Sequence, residues 1–303
     1  MIRIGMAFGA AEPGQTGAFH GSVWAGILND FDAERAEAED WPDSGAGHRR
    51  LEGARITRLW DPNHERAERM ARVFGIETVC DSYEELAEDV DAGLIGEDGR
   101  FDKLTYARPF LERGLPTYVD KPLALQADEA REIVTFAAKH DAPLMAGSGW
   151  RFCDGARHLR EQMAEFGGAR LLIGIMSMSS FDVYAIHGVE MALGLMGAGV
   201  AGVANVGEEG SDIVRLRWED GRQATLHMYD KSIRGGRRFI VYGPDGHAET
   251  ADFGEIHPPL LEVFLRMCHT REMPIPADEM VEAVAIVEAI GRARGGCVEV
   301  TPV

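Results

Sequence analysis

Short apolar runs alternate with segments of helical period from residue 1 to about 122, the order that a parallel sheet wrapped by helices imposes on a chain. Residues 2–8 and 91–95 are apolar runs of strand length, 55–60 alternates with period two, and 116–119 is a further strand. Between them, 18–28 has helical composition. Ala67, Met70, Ala71 and Phe74 recur at helical spacing until Gly75, and Phe101, Leu104, Ala107, Phe110 and Leu111 do so until Gly114. Ser82 and Glu85 have the spacing of a capping box. Residues 31–53 carry many acids and the turn-forming run Trp41-Pro42-Asp43-Ser44-Gly45, which predicts an inserted surface loop or short helix.

Beyond 122 the texture changes. Helices are predicted over 128–140 and 156–166 around a strand at 144–146. Strands then follow at 171–178, 213–218, 224–229 and 239–242, with turns at Glu219-Asp220-Gly221 and Pro244-Asp245-Gly246. Two closing helices fall at 260–268 and 280–293. The expected architecture is α/β: an N-terminal domain, 1–122, followed by a C-terminal α+β domain, 123–303, built on an open antiparallel sheet.

Composition narrows the function classes. With 45% hydrophobic residues among 303, the chain has enough apolar surface for a large core. A net charge of −19 opposes binding to nucleic acid or anionic lipid. Cys80, Cys153, Cys268 and Cys297 show no paired spacing, so a reducing cytoplasm is expected rather than a disulfide framework or a zinc knuckle. The first residues lack the length and cleavage site of a signal peptide, and the uncharged stretch 191–206 is too short to span a bilayer.

The chemistry sits in a few places. Gly197-Ala198-Gly199-Val200-Ala201-Gly202 spells G-x-G-x-x-G, but with a helix before it and a strand after, the reverse of the phosphate-binding order. The expected pyrophosphate turn is instead Phe8, Gly9, Ala10, Gly14 and Gly17, after a strand and before a helix. Asp61 closes the second strand, where a carboxylate accepts ribose hydroxyls and repels a 2′-phosphate. Asp120-Lys121-Pro122 places an ammonium at a strand end, suited to stabilising a developing oxyanion. His187 begins a helix with Glu190 one turn along. Two such residues are common on ordinary helices, and no metal site is expected from them.

Together these stretches resemble the Gfo/Idh/MocA oxidoreductases. The likeness rests on the opening strand and glycine turn, the Asp61-Pro62 strand ending, Gly114-Leu115-Pro116-Thr117-Tyr118-Val119-Asp120-Lys121-Pro122 against the family's G-x-P-V-x-x-E-K-P, Arg151-Phe152, and the His187 helix. It implies a Rossmann domain that binds NAD(P), Asp61 favouring NAD over NADP, with Asp120 and Lys121 beside the cofactor, Lys121 orienting the substrate and His187 transferring its proton. A sugar or polyol substrate would meet Trp150, Arg151, Tyr184 and Asp182, and the open sheet would serve homo-oligomer contacts. One departure stands out. The family has an aspartate four residues before the histidine, and here that position is Val183. The chain could therefore also be a binding protein that kept the fold without catalysis, or an enzyme that retains NAD while eliminating or cleaving a sugar.

Overall fold

The structure is a computed structural model and describes residues 1–7, 17–41, 46–96, 103–230, 233 and 236–299. Among these the chain forms β1 (Ile2–Ala7), α1 (Gly17–Leu28), α2 (Ala33–Ala38), β2 (Ala54–Trp60), α3 (His64–Phe74), β3 (Thr78–Val79), β4 (Ala92–Ile95), α4 (Lys103–Leu111), β5 (Thr117–Val119), α5 (Ala127–Lys139) and β6 (Leu144–Ala146). It continues through α6 (Asp154–Glu165), β7 (Leu171–Ser177), α7 (Phe181–Met196), β8 (Val200–Asn205), β9 (Ser211–Trp218), β10 (Gln223–Tyr229), β11 (Arg238–Tyr242), β12 (His247–Thr250), α8 (His257–Thr270), α9 (Ala277–Arg292) and β13 (Gly296–Glu299).

Two compact units result. The first comprises Met1–Leu123, Arg131–Ala146 and Leu260–Pro276; the second comprises Ala124–Ala130, Gly147–Pro259 and Ala277–Val303. The sequence predicts one cut at 122, whereas two later segments return to the first unit. The physical reason is burial. Every residue of β6 is buried, and it extends the sheet by pairing parallel with β5. Leu260, Leu261, Phe264 and Met267 are buried as well, with the Phe264 ring 6.2 Å from that of Tyr118.

The first unit's sheet has the order β3-β2-β1-β4-β5-β6, and every pairing is parallel. Strands covered on both faces read as continuous apolar runs, which is why β1 and β4 were legible. Gly93 lets Phe110 lie against β4: a Cβ there would fall 2.6 Å from the ring's Cγ. Helix α3 ends as predicted at Gly75, which is in the left-handed region at φ 60°, and it starts at Asn63, whose side chain accepts from the Arg66 N–H. The segment 31–53 contains the short helix α2. The Ser82 capping box does not form. Its hydroxyl donates to the Glu85 side chain at 3.2 Å and makes no cap bond to the backbone, and Tyr83–Ala87 winds as a tighter 3-10 helix.

The second unit's sheet has the order β12-β11-β7-β10-β9-β8-β13. It is mixed rather than antiparallel throughout: β7 and β10 pair in parallel, because α7, β8 and β9 intervene and bring the chain back in the same direction. One face carries α7. A Cβ on Gly188 would meet the Met176 sulfur at 2.6 Å, so this glycine sets how closely α7 lies on the sheet. Among the described residues the other face is open. Along β9, Asp212, Val214, Leu216 and Trp218 are buried while Ser211, Ile213 and Arg215 are exposed. No helix among the described residues is long and apolar enough to cross a membrane.

Candidate active site

In a parallel sheet of this order, ligands gather beyond the carboxyl ends of the strands where the connections diverge to opposite faces. Phe8, Gly9, Ala10 and Gly14 follow β1 in the sequence and lie outside the described residues. Gly17 is the first residue of α1, whose opening turn holds no acid to repel an anion. Asp61 follows β2 and is buried. Its Oδ1 accepts the Asn63 N–H at 2.8 Å, and the Arg66 guanidinium reaches both oxygens at 3.0 and 2.7 Å. Arg66 was not singled out by the sequence, although an arginine five residues after a strand-end carboxylate, in the first turn of the next helix, is a readable signal.

Asp120 and Lys121, immediately after β5, are both buried. Oδ1 of Asp120 accepts the Lys121 backbone N–H at 2.8 Å, and Oδ2 lies 2.6 Å from His20 Nδ1. Burial pushes this carboxyl upward, yet the charge and hydrogen bond of His20, with Lys121 and Lys103 nearby, outweigh it and hold Asp120 well below the ordinary carboxylate range. The Lys121–Pro122 bond is cis. His20, in α1, gives no sign in the sequence of its partner a hundred residues away.

The G-x-G-x-x-G stretch runs from the end of α7 into β8, and its backbone is engaged elsewhere. The Gly199 N–H donates to both Glu282 oxygens at 2.8 and 3.1 Å, and the Val200 N–H donates at 2.7 Å. A carboxylate from α9 occupies the donors that a phosphate would need.

In the second unit, His187 sits in α7 and is 8% exposed. Its Nδ1 lies 2.6 Å from Oγ of the fully buried Ser148. Ser148 also caps the 3-10 turn Gly149–Arg151, accepting the Trp150 N–H at 3.1 Å. The Trp150 ring stacks on the imidazole at 4.7 Å, and the Tyr184 ring meets it edge-on at 5.3 Å. Position 183 is one turn before 187 on the same helix face, and the valine side chain offers no carboxylate to orient the ring; Ser148, after β6, contacts Nδ1. Asp182 is exposed in the first turn of α7, and its electrostatic neighbour is Arg294. Five residues from 187, it is turned off that face. Ser148 was not identified from the sequence; its place after a buried strand was the only available signal.

Arg151 does not present its charge to a ligand. Its Nε donates to Glu190 at 2.7 Å and a terminal nitrogen donates to Glu279, so one buried guanidinium joins two carboxylates. Burial, followed by the charge of Glu279, pushes the Glu190 carboxyl up while Arg151 opposes this. Glu190 is thereby taken up by Arg151. Trp150 is 5% exposed, its surface covered by His187, Phe239 and Phe253. The described residues hold no cluster of three or more His, Cys, Asp or Glu that could bind a metal.

Comparison with known proteins agrees with this fold. Residues 34–148 match the family model for Gfo/Idh/MocA, described as an oxidoreductase family with an NAD-binding Rossmann fold. Inositol 2-dehydrogenase 4 of Saccharopolyspora erythraea is 32% identical over 117 residues, which is 38% of this chain and 31% of that protein. The matched stretch thus spans less than a third of the curated relatives' length. Over essentially the whole chain, the fold is that of a putative myo-inositol dehydrogenase from Sinorhizobium meliloti (TM-score 0.79, 18% identity, 99% and 100% of the two chains). It is also that of a Lactobacillus casei myo-inositol dehydrogenase solved with NAD(H) and myo-inositol (TM-score 0.79, 16% identity, 99% and 97%).

Proposed function

We propose, from the match of residues 34–148 to the Gfo/Idh/MocA oxidoreductase model, that this chain is an NAD-dependent oxidoreductase acting on a CH–OH group of a sugar, polyol or related small molecule. The observation that carries the reading is that one chain contains both a dinucleotide-type parallel sheet with Asp61 and Lys121 at its strand ends and, in its second unit, a histidine whose ring is fixed by a buried hydrogen bond. The residues fit NAD: an acid-free helix start follows β1, and a carboxylate, held by Arg66, follows β2 at the position where ribose hydroxyls are read. Phe8, Gly9, Ala10, Gly14 and Gly17 would cradle the pyrophosphate, Asp61 the adenosine ribose, and Asp120 with Lys121 the nicotinamide end. Asp61 favours NAD over NADP. The bound dinucleotide supplies a hydride acceptor.

The chain's own residues manage the proton. Ser148 Oγ accepts the Trp150 N–H and, in this mechanism, also the Nδ1–H of His187, which leaves the Nε2 lone pair for the substrate hydroxyl. His187 takes that proton at Nε2. The Lys121 ammonium hydrogen-bonds the same oxygen and stabilises its developing negative charge; in the reductive direction His187 returns the proton. Serine orients the ring as an aspartate would, but adds no charge to favour the imidazolium.

Two experiments test the reading. Native mass spectrometry shows whether a dinucleotide stays attached, and reduced-nicotinamide absorbance is followed with NAD and a polyol panel. Binding with turnover is expected, and a chain that neither binds NAD nor turns over any polyol does not have this function. For the proton relay, Ser148→Ala lowers kcat/KM about tenfold. Ser148→Asp moves the acidic limb of the pH–rate profile upward, because a carboxylate stabilises the charged ring. A pH profile identical in all three proteins excludes Ser148 from orienting the base.

The setting proposed for this activity is a reducing cytoplasm, in which Cys80, Cys153 and Cys268 remain free thiols. The open sheet face, with Ile175, Ile213 and Tyr242 exposed, is proposed as a homo-oligomer contact. Neither nucleic acid nor a membrane is a proposed partner.

A further inference from the structure

Arg237 and its neighbour Arg238 place their charges differently. The stretch 231–238 carries Lys231, Arg234, Arg237 and Arg238 and no acid, in a chain whose net charge is −19. Arg238, the first residue of β11, gives its charge to Glu249 at 3.0 Å across the hairpin to β12. Side chains alternate along a strand, so Arg237 shares the side of Phe239 and Val241, both fully buried, with the Phe239 ring 6.3 Å from that of Trp150. Arg237 is at the rim of that side and exposed. Its guanidinium carbon lies 4.8 Å from the Trp150 ring centroid and 5.2 Å from that of Phe253. Among the described residues it has no ion pair.

A guanidinium resting on aromatic rings keeps its N–H edge available, and the rings restrict its rotamers before any ligand arrives. Planar, oriented and without a carboxylate of its own, it matches the two oxygens of a carboxylate, or those of a phosphate, better than it matches a neutral hydroxyl. The Tyr229 hydroxyl donates to the Gly236 carbonyl at 3.2 Å and fixes the backbone just before it. The ring beneath Arg237 is also the ring stacked on His187. An anion held by Arg237 is therefore one indole away from the proposed proton acceptor, a spacing that suits two ends of one small molecule.

We propose that Arg237 forms an anion subsite and that the substrate is an acidic sugar, a carboxylate- or phosphate-bearing polyol, rather than a neutral one. This rests on the reading of His187 as the residue that handles the substrate hydroxyl. It gives to Arg237 the substrate contact that the sequence suggested for Arg151.

The test compares matched pairs, glucuronate with glucose, galacturonate with galactose, gluconate with sorbitol and glucose phosphate with glucose, in turnover with NAD and in calorimetric binding. In at least one pair the acid is expected to exceed its neutral partner in kcat/KM by about 100-fold, with added salt raising its KM. Arg237→Gln lowers that acid-to-neutral ratio at least about tenfold through KM rather than kcat, and Arg237→Lys retains part of it. An unchanged circular dichroism spectrum and melting temperature verify that both variants fold.

The neutral member winning in every pair, or a ratio that Arg237→Gln leaves unchanged, overturns the anion subsite while leaving the oxidoreductase reading in place. Absence of turnover with every compound counts against that reading. Calorimetry then decides the subsite: an acid that binds the wild type and not Arg237→Gln supports it, and no acid binding more tightly than its neutral partner overturns it.

Discussion

His187→Ala lowers kcat by about 10²–10⁴-fold, the span expected when a positioned acid–base group is lost. The side chain is held on three sides, by Ser148 at Nδ1, by the stacked Trp150 and by the edge of Tyr184. A water admitted by the truncation would not be oriented in the same way. Lys121→Met is expected to lower kcat by a similar factor, because the oxyanion loses its cation. The nucleotide-holding residues proposed here are Asp61 and those beyond β1 and β5, so fluorescence titration of His187→Ala with NAD is expected to give the wild-type affinity. If His187→Ala turns over the preferred substrate at the wild-type rate, the histidine is structural and the mechanism fails. A loss of NAD affinity matching the loss in rate would point to a disturbed fold instead.

Arg151→Met destabilises the protein by about 3–5 kcal/mol, because removing one partner of a buried ion pair leaves the other charge uncompensated. Here two carboxylates, Glu190 and Glu279, lose the same guanidinium. Glu190 is already raised by burial with Arg151 present, and without it the carboxyl rises further. A carboxyl whose folded value exceeds the unfolded value of about 4.3 holds its proton more tightly when folded, so stability falls as the pH rises between the two values. The variant's deficit is therefore larger at about pH 8 than at about pH 5. Urea unfolding at the two pH values measures it, and adding Glu190→Leu to Arg151→Met recovers part of the loss. An unchanged unfolding midpoint with a raised KM would instead return Arg151 to a role in binding substrate.

The legible part of this protein is the part where neighbours in sequence are also neighbours in space. Periodicity located β1, β2 and β4 and the amphipathic face of α3, and Gly75 ended that helix as a left-handed cap because only local sterics were involved. The reversed order around Gly197 was enough to question that motif, and the structure shows Glu282 bound to its N–H groups. Local spelling misled where a tertiary alternative competed. Ser82 and Glu85 bond to each other rather than cap a helix, and β7 finds a parallel neighbour inside a sheet read as antiparallel.

The sequence by itself determined the alternation of strands and helices, the strong negative charge, and which residue types could move a proton or hold a carboxylate. Tertiary structure alone decided their partners. Ser148 and His187 are separated by 39 residues, as are Arg151 and Glu190, and His20 and Asp120 by 100. A hydrogen bond or ion pair acts over a few ångströms of space whatever the length of chain between its ends, so no spacing rule announces it. That is why Arg151, the arginine the sequence offered to a substrate, is neutralised in the core, while Arg237 rests on Trp150 with its charge open to solvent.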